Sequence, residues 1–361
     1  MRKISEAQRF SALEHFKINE KIISCQPYGN GHINDTFVVN TEGGKRYILQ
    51  AINTQVFKAP LEVMSNIQKV TAHLSCIEKD SRRVMSLVYT ENGRPCHTDR
   101  DGLCWRVYDF IEDSLCLDLP EVPEDFYEAA IAFGRFQRYL YDFPVGELYD
   151  TIPDFHNTPK RYNDFISAVE ADICGRAKEV ACEIEFIKQR KDFCSLLYKA
   201  HEKGVLPLRV THNDTKMNNV MLDAKTRTAL CVIDLDTIMP GFSVNDFGDS
   251  IRFGASTAAE DEKDLNKVWI DLRLFDIYAK GFIEGCGGLV GRDEILLMPE
   301  GAKMMTLECG MRFLTDYLQG DTYFKTSRPG HNLDRCRTQL KLVADMETKW
   351  DEMKKIVEKY I

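Results

Sequence analysis

The sequence predicts an α+β chain in two lobes, a small antiparallel β-rich N-terminal lobe (residues 1–112) and a larger helical C-terminal lobe (residues 113–361) that carries a β-hairpin. Three observations predict it. Most of the first hundred residues read as short apolar, β-branched runs broken by turn residues. After Pro120 and Pro123 the apolar residues recur at helical spacing. Within that helical part, the apolar runs 219–223 (NVMLD) and 229–234 (ALCVID) flank the polar turn 224–228 (AKTRT).

Taken in order, residues 1–16 lack an apolar signal core and read as an amphipathic helix. Residues 36–39 (TFVV) and 46–52 (RYILQAI) are strands, and 41–44 (TEGG) is the hairpin turn between them. A helix follows over about 61–74. Residues 84–89 (VMSLVY) and 104–111 (CWRVYDFI) are further strands around the turn 91–94 (ENGR). Phe126, Ala129, Ala130, Phe133, Phe136, Tyr139 and Leu140 share one helical face, and a later helix covers about 302–318. Repeats, low-complexity tracts and Gly/Ser linkers are lacking, so the lobes should pack together with a ligand cleft near residues 109–113.

A chain of 361 residues exceeds one ordinary core, and 44% hydrophobic with 29% charged residues is a soluble globular composition. The net charge of -9 excludes a general attraction to nucleic acid or anionic membrane. It also requires that a polyanionic substrate be met by local cations, metal ions or backbone amides. The twelve cysteines form no C-x-x-C pair and no Cys–His zinc spacing, which points to reduced thiols. No apolar stretch approaches the roughly 20 residues needed to span a bilayer. The expectation is a cytoplasmic protein without nucleic-acid or membrane partners.

Residues 209–249 carry the chemistry. His212, Asp214 and Asn219 fit the spacing H-x-D-x-x-x-x-N of a kinase catalytic loop. Asp214 and His212 are therefore the catalytic candidates, with Asp214 accepting the proton of an attacking hydroxyl. Pairing the two short runs as a hairpin is expected to set Asn219 opposite Asp234, bringing an amide oxygen and a carboxylate together as magnesium ligands. Asp246-Phe247-Gly248 spells the metal-binding D-F-G of protein kinases. It follows Pro240-Gly241 and opens a helix, where Asp246 suits an N-cap that braces the catalytic loop. Asp249 and Asp236 are possible outer carboxylates. On the nucleotide side, Gly29 and Gly31 let backbone amides approach phosphate. The strand 104–111 leads into a hinge whose Asp109 and Ile111 backbone can pair with adenine.

These residues resemble the aminoglycoside phosphotransferase and choline kinase superfamily. Within it the sequence is most similar to the N-acetylhexosamine 1-kinases, through residues 28–34 (YGNGHIN), 105–108 (WRVY), 155–159 (FHNTP), 210–216 (VTHNDTK), 233–241 (IDLDTIMPG), 246–255 and 308–314 (ECGMRFL). The resemblance implies a two-lobed protein-kinase-like fold, ATP as phosphoryl donor, Mg2+ as cofactor and an amino-sugar substrate. It implies that His32, Asn34, Arg312 and Tyr323 contact the sugar. One position departs from the superfamily: Gln50 stands where the phosphate-pairing Lys is usual, and keeps a donor but no charge. Competing readings are another alcohol kinase, acting on homoserine, choline, ethanolamine or an aminoglycoside, and a silent nucleotide-binding module.

Overall fold

A computed structural model describes residues 4–29 and 33–361. The architecture is α+β, with antiparallel sheets at the N-terminal end and helices through most of the remainder. Helix α1 (Glu6–Leu13) starts with a capping box, in which the Ser5 hydroxyl accepts the Gln8 N–H and Gln8 returns its side-chain oxygen to the Ser5 N–H. Strands β1 (Ile22–Pro27), β2 (Asp35–Thr41) and β3 (Arg46–Ile52) form an antiparallel meander. Helix α2 (Pro60–Ile77) follows, opening on a proline that suits the first turn. Then come β4 (Leu87–Val88), β5 (His97–Thr98) and β6 (Cys104–Asp109), giving the sheet order β1-β2-β3-β6-β4 with β5 also on β6.

Period-two burial divides the two faces of this sheet. Phe37, Val39, Leu49, Trp105 and Val107 turn to α1 and pack with Ala12, Leu13 and Phe16. Ile48, Ile52 and Tyr108 belong to the other face, against Val63, Ile67 and Val70 of α2. Two expected strands are shorter than their apolar runs. The run 84–89 pairs only at Leu87–Val88, because the Tyr89 carbonyl turns to the Lys17 N–H and Thr90 turns to Arg94. The run 104–111 stops at Asp109, where the chain turns through Asp113 at φ 50°.

Past the turn, β7 (Ser114–Cys116) leaves the first sheet and pairs with β9 (Val220–Asp223). Arg82 fastens this junction. It donates to the carbonyls of Glu112 and Asp113 and to the Asp223 carboxylate in the hairpin, the last at 2.9 Å. The helical part holds α3 (Pro123–Tyr139), α4 (Thr158–Ala171), α5 (Ala181–Lys188) and α6 (Leu196–Glu202). After the catalytic segment follow α7 (Ser243–Gly254), α8 (Leu272–Cys286), α9 (Arg292–Leu296), α10 (Met298–Leu318), α11 (His331–Thr348) and α12 (Trp350–Glu358). One hydrophobic cluster runs from Ile67 of α2 through Phe133 and Val220 to Phe247 and Phe282, and a second joins α4, α10 and α11. Helix α7 approaches α10 backbone to backbone at Gly248 and Gly301, where a Cβ on either would strike the other helix. All twelve cysteines are free. No helix among the described residues is long and apolar enough to cross a membrane.

Candidate active site

Two short ladders position the site. Strand β8 (Arg209–Thr211) pairs antiparallel with β11 (Met239–Gly241), and β9 pairs with β10 (Ala229–Val232). The loops that leave these ladders, 212–219 and 233–238, therefore lie side by side. They are stitched by Thr237 Oγ1 donating to the His212 carbonyl and by Asn213 Nδ2 donating to the Thr237 carbonyl at 2.7 Å.

The hairpin register differs by one residue from a pairing of Asn219 with Asp234. The ladder centres on Thr226, with a bulge between Ala229 and Cys231 beside the turn, so Val232 faces Val220 and the Ile233 N–H donates to the Asn219 carbonyl. Asn219 thus lies opposite Ile233, and Asp234 is the next residue along. Asp234 adopts a left-handed backbone, φ 59° and ψ 59°, which an Asp tolerates better than most side chains. It comes beside Asn219 through this turn rather than through a cross-strand pair.

His212 is fully buried against the edges of Phe133 and Phe136. Its Nε2 lies 2.8 Å from the Ile233 carbonyl, and its Nδ1 accepts the Asp214 N–H at 3.3 Å. Both ring nitrogens are thus spent on holding the two loops together. Asp214 is partly open, and Lys216 Nζ lies 2.7 Å from its Oδ1. Burial works against the Lys216 charge, but the Asp214 carboxylate holds its pKa above the ordinary lysine value. Asn219 donates through Nδ2 to the Asp214 carbonyl at 2.7 Å and to Asp214 Oδ2 at 3.2 Å. That anchors the amide and leaves its oxygen as the available donor atom.

Asp234 opens to the cleft, but the protein crowded around it strips much of its hydration. That loss, with Asp236 and Asp214 nearby, raises its carboxyl to about 6. A cation would relieve this repulsion. The donor set of one amide oxygen and one carboxylate, with other carboxylates close, suits magnesium completed by water and phosphates. Among the described residues, no group of three or more His, Cys, Asp or Glu side chains is arranged to hold a metal by itself.

Asp246 has a different surrounding. It is not the N-cap: α7 begins at Ser243, so Asp246 lies inside the first turn. Its carboxylate accepts the N–H groups of His212 and Asn213, both at 2.8 Å, and Gln137 Nε2 at 3.0 Å. Two of these three hydrogen bonds brace the catalytic loop, and the third ties it to α3. Asp249 is buried against Arg252; burial pushes its pKa up, but Arg252 together with His156 and Lys216 brings it below the ordinary value.

Residues of the sheet lobe and of the segments around α4 and α10 flank these loops. Gly29 sits at φ 73°, a turn conformation that favours glycine. Gly31 and His32 lie outside the described residues. Asn34 uses both ends of its amide, donating to Asp236 at 2.7 Å and accepting the Asn53 N–H at 3.0 Å. Gln50 donates to Thr36 and accepts from Arg106. Asp109 lies at the end of β6 with Lys45 2.9 Å away, and no protein group among the described residues takes the Ile111 N–H. Farther along, His156 bridges Glu308 of α10 (2.8 Å) and the Asn213 carbonyl (3.2 Å). Arg312, one turn beyond Glu308, has Phe155, Tyr323 and Phe324 around its guanidinium at 5.3, 5.9 and 5.6 Å from the ring centres. Tyr323 itself is largely exposed.

Comparison with known proteins fits this arrangement. The sequence profile of the phosphotransferase enzyme family, which includes aminoglycoside phosphotransferases, matches residues 24–271. The chain belongs to that family. The phosphotransferase is similar in fold to an aminoglycoside phosphotransferase from Alicyclobacillus acidocaldarius, at 12% identity and a TM-score of 0.66 over 99% of this chain and 98% of that one. It is also similar to an amicoumacin kinase solved with AMP-PNP, Ca2+ and its ligand (13% identity, TM-score 0.58, 95% and 92% covered). A choline kinase from Cryptosporidium parvum matches at 14% identity and a TM-score of 0.58, over 93% and 92% of the two chains.

Some of the residues gathered in this phosphotransferase were not singled out by sequence. Arg106 is the clearest case, since it stands in the matching segment 105–108 without a role until the strands are paired. Lys216 stood inside the motif segment without a task. The His156–Glu308 pair joins positions 152 residues apart, which no local pattern links.

Proposed function

We propose that this phosphotransferase is an ATP-dependent kinase, with magnesium as its cofactor, that phosphorylates the anomeric hydroxyl of N-acetylhexosamines such as N-acetylglucosamine and N-acetylgalactosamine. Residues 1–112 form its nucleotide-binding lobe and residues 113–361 its catalytic and substrate-binding lobe. Asp214 orients the sugar hydroxyl and accepts its proton as the phosphoryl group transfers. His212 is a positioning residue that keeps the Asp214 loop against the Asp234 loop. Asn219 and Asp234 would hold magnesium, which when bound neutralises charge on the phosphates. Gly29, Gly31 and Gln50 line the phosphates, and the backbone of Asp109 and Ile111 receives adenine, using the unclaimed Ile111 N–H.

The observation that carries the choice of acceptor is the positive charge around Phe155, next to the His156 that meets the catalytic loop at the Asn213 carbonyl. Burial lowers the Arg161 pKa, and the neighbouring Arg312 guanidinium lowers it further, so two cations share this wall. A cationic acceptor such as choline or an aminoglycoside would be repelled there. A neutral sugar gains donors from Arg312 and His32, an aromatic face from Tyr323, and a contact with Asn34. Incubation with ATP, magnesium and a panel of neutral sugars and amines tests this. The expected product is the sugar 1-phosphate of an N-acetylhexosamine; phosphate appearing only on choline, homoserine or an aminoglycoside would overturn it.

A further inference from the structure

Strand β3 presents Gln50 where a lysine would meet the nucleotide's phosphates, and the charge stands one strand away. In the register of β3 with β6, Arg106 lies directly opposite Gln50. Its Nε donates to Gln50 Oε1 at 2.9 Å, and its Nη1 donates to Asp236, two residues beyond Asp234. Nη1 also lies 3.9 Å from Met64 Sδ on α2. The other Asp236 oxygen accepts Asn34, which follows the glycine loop. Asp236 thus gathers the glycine-loop exit, the β6 cation and the candidate metal loop at one point.

The side chain of Arg106 is 1% exposed. Stability alone is a weak reason for such a pair, because a buried ion pair is often replaced by neutral residues at no loss. Arginine offers something a lysine on this strand could not. Its planar fork can spend one edge on Gln50, another on Asp236, and keep a third donor group. Nη2 makes no hydrogen bond to protein among the described residues. Lys216 is engaged by Asp214, and Asp214, Asp234 and Asp236 crowd the same cleft. A triphosphate needs a cation here.

The geometry points to Arg106 as the cation offered to the α- and β-phosphates in place of a β3 lysine, with Asp236 aiming it. This rests on the ATP-dependent reading above. The substitution is a transplant across the ladder: the charge moves from β3 to β6, and glutamine stays behind as its hydrogen-bond partner.

Calorimetric titration with ATP plus magnesium, and with ADP and AMP in chelator, tests it alongside thermal melts. Wild-type protein should prefer ADP to AMP. Arg106→Gln should lose about ten- to a hundredfold of ADP affinity, the worth of a charge-assisted phosphate contact, and less of AMP affinity, because AMP offers only the α-phosphate, so the preference falls. Because Arg106→Gln strands a buried Asp236, the neutral pair Arg106→Gln/Asp236→Asn is measured too and should show the same metal-free loss. Gln50→Lys/Arg106→Gln, which returns the charge to β3, should recover about tenfold or more. An unchanged ADP preference in either neutralised variant that folds overturns the assignment, as does a folded transplant that recovers nothing. Wild-type protein that binds no ATP at all would instead overturn the kinase reading beneath it.

Discussion

Asp234 and Asp246 stand twelve residues apart in one active-site segment and lead opposite lives. Asp246 is wholly enclosed, and the protein answers its carboxylate with two backbone N–H groups and Gln137. Asp234 opens to the cleft on a left-handed turn and faces other carboxylates. A carboxylate that the fold satisfies is a brace. One left short of positive charge is where a cation arrives from outside. The D-F-G spelling belongs to the brace: Phe247 is core and Gly248 is a helix contact.

The largest effect should come from the open side of this comparison. Asp214→Asn or Asp234→Asn should lower kcat by about 10²- to 10⁴-fold or more while each variant keeps a cooperative fold no less stable than wild type near neutral pH. Steady-state kinetics beside thermal melts decide it. A variant keeping more than about a tenth of the activity would remove that residue from the chemistry.

Asp246→Ala should do the reverse, costing about 3–5 kcal/mol of stability by stranding two buried N–H groups, with activity falling as the catalytic loop loosens. A clean loss of metal dependence in an undiminished fold would exchange the roles of the two residues. Gly248→Ala is the milder test of the same segment. Its methyl group must force α7 from α10, for about 1–3 kcal/mol measured by denaturant unfolding, with nucleotide affinity retained in the folded fraction. A neutral result would mean that the helices part freely.

The smallest effect is on pH dependence. Folding raises the Asp234 carboxyl to about 6, so the folded state binds its proton more tightly than the unfolded chain. The stability this adds is complete below about pH 4, the ordinary Asp value, and is lost as pH rises through about 6. In metal-free protein, the melting temperature of wild type relative to Asp234→Asn should fall across that window. A flat difference would show that the neighbouring carboxylates exert no such pressure.

How much of this was legible in sequence follows from how local each feature is. The spacing of His212, Asp214 and Asn219 is a property of one loop, and Asp234 closes an apolar run, so both could be read directly. The register was missed by one, because a turn centred on Thr226 opposes Asn219 to Ile233 and leaves Asp234 one residue beyond the ladder. The start of α7 was placed at Asp246 because that residue looks like a cap, but the fold spends its carboxylate on another loop. Arg106 could not be assigned before β6 was set beside β3, since its meaning lies in what stands opposite. The cluster of His156, Glu308 and Arg312 is assembled by packing a turn before α4 against the distant α10.

The hydrophobic cluster that joins α2 to α7 and α8 has a thermodynamic consequence. One face of the sheet keeps its own cluster with α1, but α2 and the other face share their interior with the helices, so neither half can melt and leave that core dry. Heat should therefore meet one cooperative unit, with calorimetric and van't Hoff enthalpies in agreement, despite a length at which chains usually divide. Whatever closing motion the cleft makes must slide within a shared interior, favouring small shear displacements of α2 over a wide swing about a free hinge.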